Sequence, residues 1–246
     1  QSDRSDGEQL KQGRLNIGLV GGDAIGIAIA TALQEAGHLV VAVPKDQADS
    51  KDKLEHLFPT AKPLSDEEIL ASSDLVLLAV PANEIESTAA TLAESNAWRA
   101  GQLVVHFSPN HGHEILFSAT SQGAIALAIH PAMHFTGTSL DLRRMKESYF
   151  AVSAPQIALP IAQALVIEMG AEPIVIEASQ RDSYAEAIEV ASNFSAMIVN
   201  QAVGLLEQAG VENPALVIAP VIESAVDQAL SKGHRSIDPS ELLDDQ

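Results

Sequence analysis

The chain of 246 residues contains no cysteine. That excludes a disulfide framework, a thiolate metal site and a cysteine nucleophile, and it fits a reducing compartment, so the cytoplasm is the expected location. Basic residues are also scarce, 14 Lys and Arg against 33 Asp and Glu, for a formal charge of −19. Phosphate backbones and anionic lipid both require surplus cations, so neither nucleic acid nor a membrane surface is an expected partner. Long apolar runs are missing as well. The richest stretch, residues 184–209, is interrupted by Glu186, Glu189, Asn193, Asn200 and Glu207, which excludes a membrane span there. The opening "QSDRSDGEQLKQGR" has no apolar centre, so residues 1–14 are expected to be a disordered tail rather than a signal peptide.

What is present is an alternation. Short apolar runs, "LNIGLV", "HLVVAV", "DLVLLAVP", "QLVVHFS" and "AIALAIH", are separated by Ala-rich helical stretches such as residues 24–36 and 82–97. Strands that are apolar throughout are those buried on both faces of a parallel sheet, with helices as crossovers. An α/β, doubly wound, mostly parallel Rossmann-type sheet is therefore expected over residues 15–178. After the last of these runs an irregular stretch around "HPAMHFTGTSLDLRRM" precedes "YFAVSA", a helix over 155–169 and "EPIVIE", which extend the same sheet. Residues 179–246 read as a smaller, all-helical C-terminal domain. One long helix covers 181–209 up to Gly210, a second starts at Asn213 and Pro214 and contains Pro220, and a third is signalled by Asp238, Pro239 and Glu241.

The turn after the first strand reads "VGGDAIG". In a dinucleotide fingerprint the first glycine allows the tight turn, the second lets backbone approach the pyrophosphate, and the third lets helix and strand pack closely. Gly21 and Gly26 fill the first and third places, with Gly22, Ala24 and Ile25 completing the loop, but the middle place holds Asp23. A carboxylate about 4 Å from a phosphate costs roughly 4 kcal/mol at an effective dielectric near 20, close to a thousandfold in affinity. Asp is equally one of the best N-caps, so the turn can cap itself; alternatively the carboxylate rotates into solvent or is neutralised. At the end of the second strand Lys45 and Asp46 stand together, so the sequence does not choose between NADP, which needs a base there, and NAD, which needs an acid; Lys45 leans slightly to NADP, and a plain solvated loop is the alternative.

Five histidines, His106, His111, His113, His130 and His134, lie within thirty residues. Pairs at these spacings can chelate, but Pro131 disfavours a helix through the second pair and Glu114 is the one acid nearby. A ligand-facing pocket is the expectation, ahead of plain hydrogen-bonded histidines, and no metal is assigned.

Taken in order, "IGLVGGDAIGIAIATALQEAGHLVVAV", "SDLVLLAVPANEI", "GQLVVHFSPNHG", "AIHPAMHFTGT" and "ASNFSAMIVNQAVGLLEQAGV" resemble, along nearly the whole chain, a Rossmann-like branch of the 6-phosphogluconate dehydrogenase superfamily. That branch is similar to ketopantoate reductases, pyrroline-carboxylate reductases and deazaflavin-linked NADP oxidoreductases. The resemblance implies an NADP- or NAD-dependent oxidoreductase acting on a small oxo or hydroxy compound in a cleft beside the dinucleotide domain, and a homodimer through the C-terminal helices. It implies that Pro81 lies under the cofactor ribose. Ser108, His111 and Gly112 match the loop that closes "GQLVVHFSPNHG", His130 and Pro131 match the histidine-proline motif, and Asn193 matches the asparagine of the first C-terminal helix. His130 or His111 is then the acid/base, with Ser108 and Asn193 orienting the substrate. Two departures stand against this: Asp23, and Glu189 where many relatives carry a lysine one turn before the asparagine. They keep open a second class, a non-catalytic small-molecule-binding or regulatory protein on the same scaffold.

Overall fold

Strand β4 (Leu75–Ala79) is buried at every residue, and its side chains divide by parity. Leu75 and Leu77 join one hydrophobic cluster with Ile17, Leu19, Leu127 and Ile129, whereas Val76 and Leu78 join another with Val20, Val104 and Ala126. A strand that feeds two cores is the centre of a sheet covered on both faces, which is why its sequence shows no polar alternation. The computed structural model describes residues 13–46 and 49–232.

Around β4 run β1 (Asn16–Gly21), β2 (Leu39–Pro44), β3 (Lys62–Leu64), β5 (Leu103–His106), β6 (Ile125–Pro131), β7 (Tyr149–Ser153) and β8 (Glu172–Val175). The eight strands form one sheet in the order β3-β2-β1-β4-β5-β6-β7-β8. All neighbours are parallel except β6 and β7. This is the expected doubly wound, mostly parallel sheet, and "YFAVSA" and "EPIVIE" extend it as β7 and β8. The chain runs outward from β1 through β2 to β3, then returns to β4 on the other side of β1. The crevice between the ends of β1 and β4 is therefore the topological switch point, where open α/β sheets take ligands.

The crossovers are α1 (Ala24–Glu35), α2 (Lys51–Leu57), α3 (Asp66–Ser72), α4 (Ile85–Glu94), the single turn α5 (Phe117–Thr120), α6 (Leu140–Met145) and α7 (Leu159–Glu168). Helix α3 opens with a capping box, in which the Ser65 side chain accepts from the Glu68 N–H and Glu68 accepts from the Ser65 N–H. The helix expected over 82–97 is split into a 3₁₀ turn, Ala82–Glu84, and α4; Asn96, at φ 52°, stops it. Trp98 folds back under that end and donates to the Ala89 carbonyl at 3.0 Å. The stretch expected to be irregular after β6 holds α6: the buried Asp141 accepts from the backbone of Thr136 and Gly137, at 3.0 and 2.8 Å, and closes the loop onto the helix. Buried His38 links the two halves of the sheet, accepting from the Leu15 N–H while its Nε2 lies 2.8 Å from Glu168 on α7.

Beyond a 3₁₀ turn at Ala178–Gln180 lie α8 (Arg181–Gln208) and α9 (Pro214–Lys232), the latter running through Pro220. By its internal contacts the chain divides into Gln1–Glu186 and Ala187–Gln246. Within the second unit Phe194, Met197, Ile198 and Leu205 of α8 and Leu216, Val221 and Leu230 of α9 are exposed. The tail at residues 1–12 and the third C-terminal helix signalled by Asp238, Pro239 and Glu241 lie outside the described residues. Among the described residues no helix is long and apolar enough to cross a membrane.

Candidate functional site

The glycine turn sits at the switch point. Gly21 ends β1 opposite Ala79 of β4, with φ +85°, and a Cβ there would collide with the Ala79 carbonyl. Gly26, in the first turn of α1, faces the same residue, and a Cβ on it would run into the Ala79 side chain. Gly21 therefore serves the tight turn out of β1 hard against β4, and Gly26 the close approach of α1 to that strand. Asp23 is the N-cap of α1: its N–H donates to Ala79 O at 3.0 Å and its carboxylate accepts the Ala24 N–H at 2.7 Å. The turn caps itself, as one of the sequence readings has it, and the carboxylate is exposed at the helix mouth. The next two N–H groups, of Ile25 and Gly26, have no acceptor among the described residues and point along the positive end of the helix. The cradle therefore fits a phosphate group, with one fixed negative charge beside it.

A cavity of about 550 Å³ opens next to this turn and is lined by Gly21, Lys45, Asp46, Asp66, Glu67 and Val80, among others. Among the described residues Lys45 is the single cation in the lining, against Asp46, Asp66, Glu67 and Glu84. Burial pushes the Asp66 carboxyl up, and the negative charges of Glu67 and Asp46 push it further. Pro81, exposed, begins the turn just after this wall.

A second cleft, of about 420 Å³, lies beyond the carboxyl ends of β4 and β5 and is lined by Asn110, His111, Gly112, Glu114 and Arg181 together with Glu86. The loop that forms it is braced from beneath by His106. Its Nε2 lies 2.8 Å from Gly112 O and its Nδ1 accepts the Ser108 N–H at 3.2 Å, a pattern met by one neutral tautomer. Burial lowers the His106 pKa to about 4, more than the Gly112 hydrogen bond restores. The buried Ser108 hydroxyl accepts the Asn110 N–H at 3.2 Å, which shapes the same loop. His111 is exposed on the cleft, and His113 is turned to Ser153, 2.8 Å from its hydroxyl.

His130, at the end of β6, is buried and its Nδ1 lies 2.7 Å from the Tyr184 hydroxyl. Burial, then the nearby Arg181 charge, lowers the His130 pKa to about 4, while burial pushes Tyr184 up to about 12. The imidazole is thus neutral and the phenol protonated across the physiological range. Tyr184 also lies edge-on to the His130 ring, at 78°, and its own ring is 5.7 Å from the Arg181 guanidinium.

The fold brings Gly21, Gly22, Asp23, Ala24, Ile25 and Gly26 together at the switch point and sets Lys45 and Pro81 at the rim of that crevice. It puts Ser108 and His111 on one loop and pairs His130 with a residue of α8. Asn193 belongs to the second unit, where its amide donates to Glu189 Oε1 at 3.5 Å on the same helix. His134 is exposed, and among the described residues no three His, Asp or Glu side chains gather as a metal site would require. Sequence reasoning missed Tyr184 and Arg181. They sit three apart, on the first turn of the long helix that follows β8, and that spacing on one helical face was the available signal.

A family model described as a Rossmann-like domain matches residues 1–131, and one described as a domain of unknown function, DUF2520, matches residues 148–237. No curated protein matches the chain. Solved structures that share its fold include an imine reductase from Pseudomonas sp., 12% identical, covering 89% of this chain and 76% of its own, with a TM-score of 0.67. A 1-pyrroline-5-carboxylate reductase from Streptococcus pyogenes is 13% identical, with 94% and 84% covered and a TM-score of 0.66. The pyrroline carboxylate reductase of Plasmodium falciparum, solved with NADP bound, is 12% identical, with 94% and 84% covered and a TM-score of 0.59.

Proposed function

The chain belongs to the Rossmann-like domain family, and from that premise we propose that it is an NAD(P)-dependent oxidoreductase acting on a small oxo or hydroxy compound. The observation that carries this reading is a conjunction. The glycine turn lies at the switch point of the sheet beside a 550 Å³ cavity, and a polar cleft bearing His111 follows the ends of the next two strands. The similar folds of proteins named as imine and pyrroline-carboxylate reductases support the same reading, and nothing comparable favours a non-catalytic protein.

In this reading the Ile25 and Gly26 N–H groups and the positive end of α1 hold the pyrophosphate. The acidic cavity takes the ribose: Asp46 and Asp66 accept from neutral hydroxyls, whereas an added 2′-phosphate meets four carboxylates and one lysine. NAD(H) is therefore the preferred cofactor over NADP(H). The reduced nicotinamide supplies a hydride when bound, and the chain moves the proton. That step is assigned to His111, an exposed imidazole on the cleft, because His130 is buried, neutral and already tied to Tyr184. His130 and Tyr184 position the start of α8, and Ser108 holds the His111 loop in shape. The exposed apolar residues of α8 and α9 support a homodimer through these helices, and the absence of cysteine supports a cytoplasmic location.

The test is consumption of NADH with a panel of small oxo acids, read by nicotinamide absorbance. His111→Gln is expected to bind NADH as the unmodified protein does and to lose 10²-fold or more of turnover, roughly the contribution of a general acid/base. A variant with unchanged turnover would remove His111 from the mechanism.

A further inference from the structure

Arg181 is 4% exposed, yet its Nε, Nη1 and Nη2 have no hydrogen-bond partner among the described residues. A guanidinium carries five N–H donors and keeps its charge in proteins, so leaving it buried and unpaired is among the more costly arrangements a fold can hold. The shortage is not one of carboxylates, since the chain has 33 of them. Glu114, in the same cleft, stands instead 3.6 Å from His113, and Tyr184 covers the guanidinium with its ring without accepting any N–H. Arg181 is also the first residue of the 28-residue α8, so the positive end of that helix adds to the same local field.

We propose that the cleft lined by Arg181, Asn110 and His111 is an oxyanion site, and that the group it takes is the carboxylate of the substrate, paired side-on with the Arg181 guanidinium. The proposal rests on the oxidoreductase reading and narrows its substrate class to small oxo or hydroxy acids. Geometry favours this class, because a planar guanidinium meets a planar carboxylate through two parallel hydrogen bonds. Charge favours it over a phosphate: one guanidinium balances one negative charge, whereas a phosphate dianion would face Glu86, Glu114 and Asp182 around the same cleft with a charge left over. With the carboxylate held at Arg181, the adjacent oxo group lies on the side of the cleft where His111 is exposed.

The test uses the full chain without any dinucleotide, so that its outcome is independent of cofactor binding; NADH titration of the same samples reads the oxidoreductase reading separately. Thermal unfolding is followed with pyruvate, with inorganic phosphate, and with chloride at matched ionic strength, for the unmodified protein, Arg181→Met and Arg181→Lys. Pyruvate at about 100 times its Kd is expected to raise the Tm by about 5–10 °C. Arg181→Met should show no response to pyruvate and should melt no lower than the unmodified protein in chloride, since it removes an unpaired buried charge. Arg181→Lys, which keeps the charge but loses the fork, should respond with at least tenfold weaker affinity. The proposal is overturned if pyruvate leaves the Tm unchanged, if phosphate stabilises more than pyruvate, or if Arg181→Met melts several degrees lower in chloride, which would mean that the guanidinium already has a partner.

Discussion

Replacing Asp23 by asparagine separates two roles that one side chain combines. In the structure the carboxylate accepts the Ala24 N–H and so caps α1, while its charge stands at the helix mouth where a pyrophosphate would lie. Asparagine caps a helix about as well as aspartate, so Asp23→Asn should change folding stability by no more than about 1 kcal/mol, the size of a lost charge–dipole contact. The charge matters more for the ligand. Two unit charges about 4 Å apart repel by about 1 kcal/mol in water and about 4 kcal/mol at an effective dielectric of 20. Because Asp23 is exposed, the lower half of that range applies, and removing the charge should tighten NADH binding by roughly 1–2 kcal/mol, about 5- to 30-fold. Calorimetric titration of NADH into both proteins measures it, and the gain should shrink in about 1 M salt, where the screening length falls to about 3 Å and even this close pair of exposed charges is weakened. Equal or weaker binding by Asp23→Asn would refute the reasoning, since it would mean that the carboxylate does not act on the phosphate site. Asp23→Gly should gain a similar factor while losing more of the cap.

Stability should also fall in mild acid. His106 and His130 stay neutral in the folded chain until pH about 4, while in the unfolded chain each takes a proton near the ordinary imidazole pKa of 6.5. Between those values the unfolded state binds more protons, so unfolding free energy should drop as pH falls from 6.5 toward 4, by up to about 1.4 kcal/mol per pH unit for each histidine; His130→Gln should flatten the slope in denaturant titrations, and an unchanged slope would contradict the assignment. Gly26→Ala should cost about 1–3 kcal/mol in the same assay by overpacking α1 against β4, because the added methyl meets Ala79. A neutral effect would mean that the helix can shift away from the strand without loss.

The sheet was legible because its central strands are buried on both faces and so write themselves as unbroken apolar runs. β3 was not: "KPL" is three residues long, lies at the sheet edge and has no apolar run, and its Pro63 is tolerated only at such an edge. α6 was hidden because the residue that organises it, Asp141, looks like any surface acid until Thr136 and Gly137 are seen to donate to it. In the site, the glycine turn and its offending aspartate were readable from spacing alone, with self-capping as one of the alternatives left open. The histidine cluster was not. Five residues close in sequence take different roles, since His106 braces a loop, His113 meets Ser153, His130 meets Tyr184, and His111 and His134 remain exposed. Arg181 and Tyr184 carry no motif, and their importance comes from burial and from what the guanidinium lacks, both properties of the packed chain and not of the string.

Calorimetric titration of NADH into the unmodified protein tests most directly whether the switch-point crevice is a working dinucleotide site despite Asp23. Saturable binding of one NADH per chain, weaker for NADPH, is the predicted result. No saturable heat with the unmodified protein, Asp23→Asn and Asp23→Gly alike would contradict it, because the crevice would then reject the dinucleotide for reasons other than the aspartate's charge.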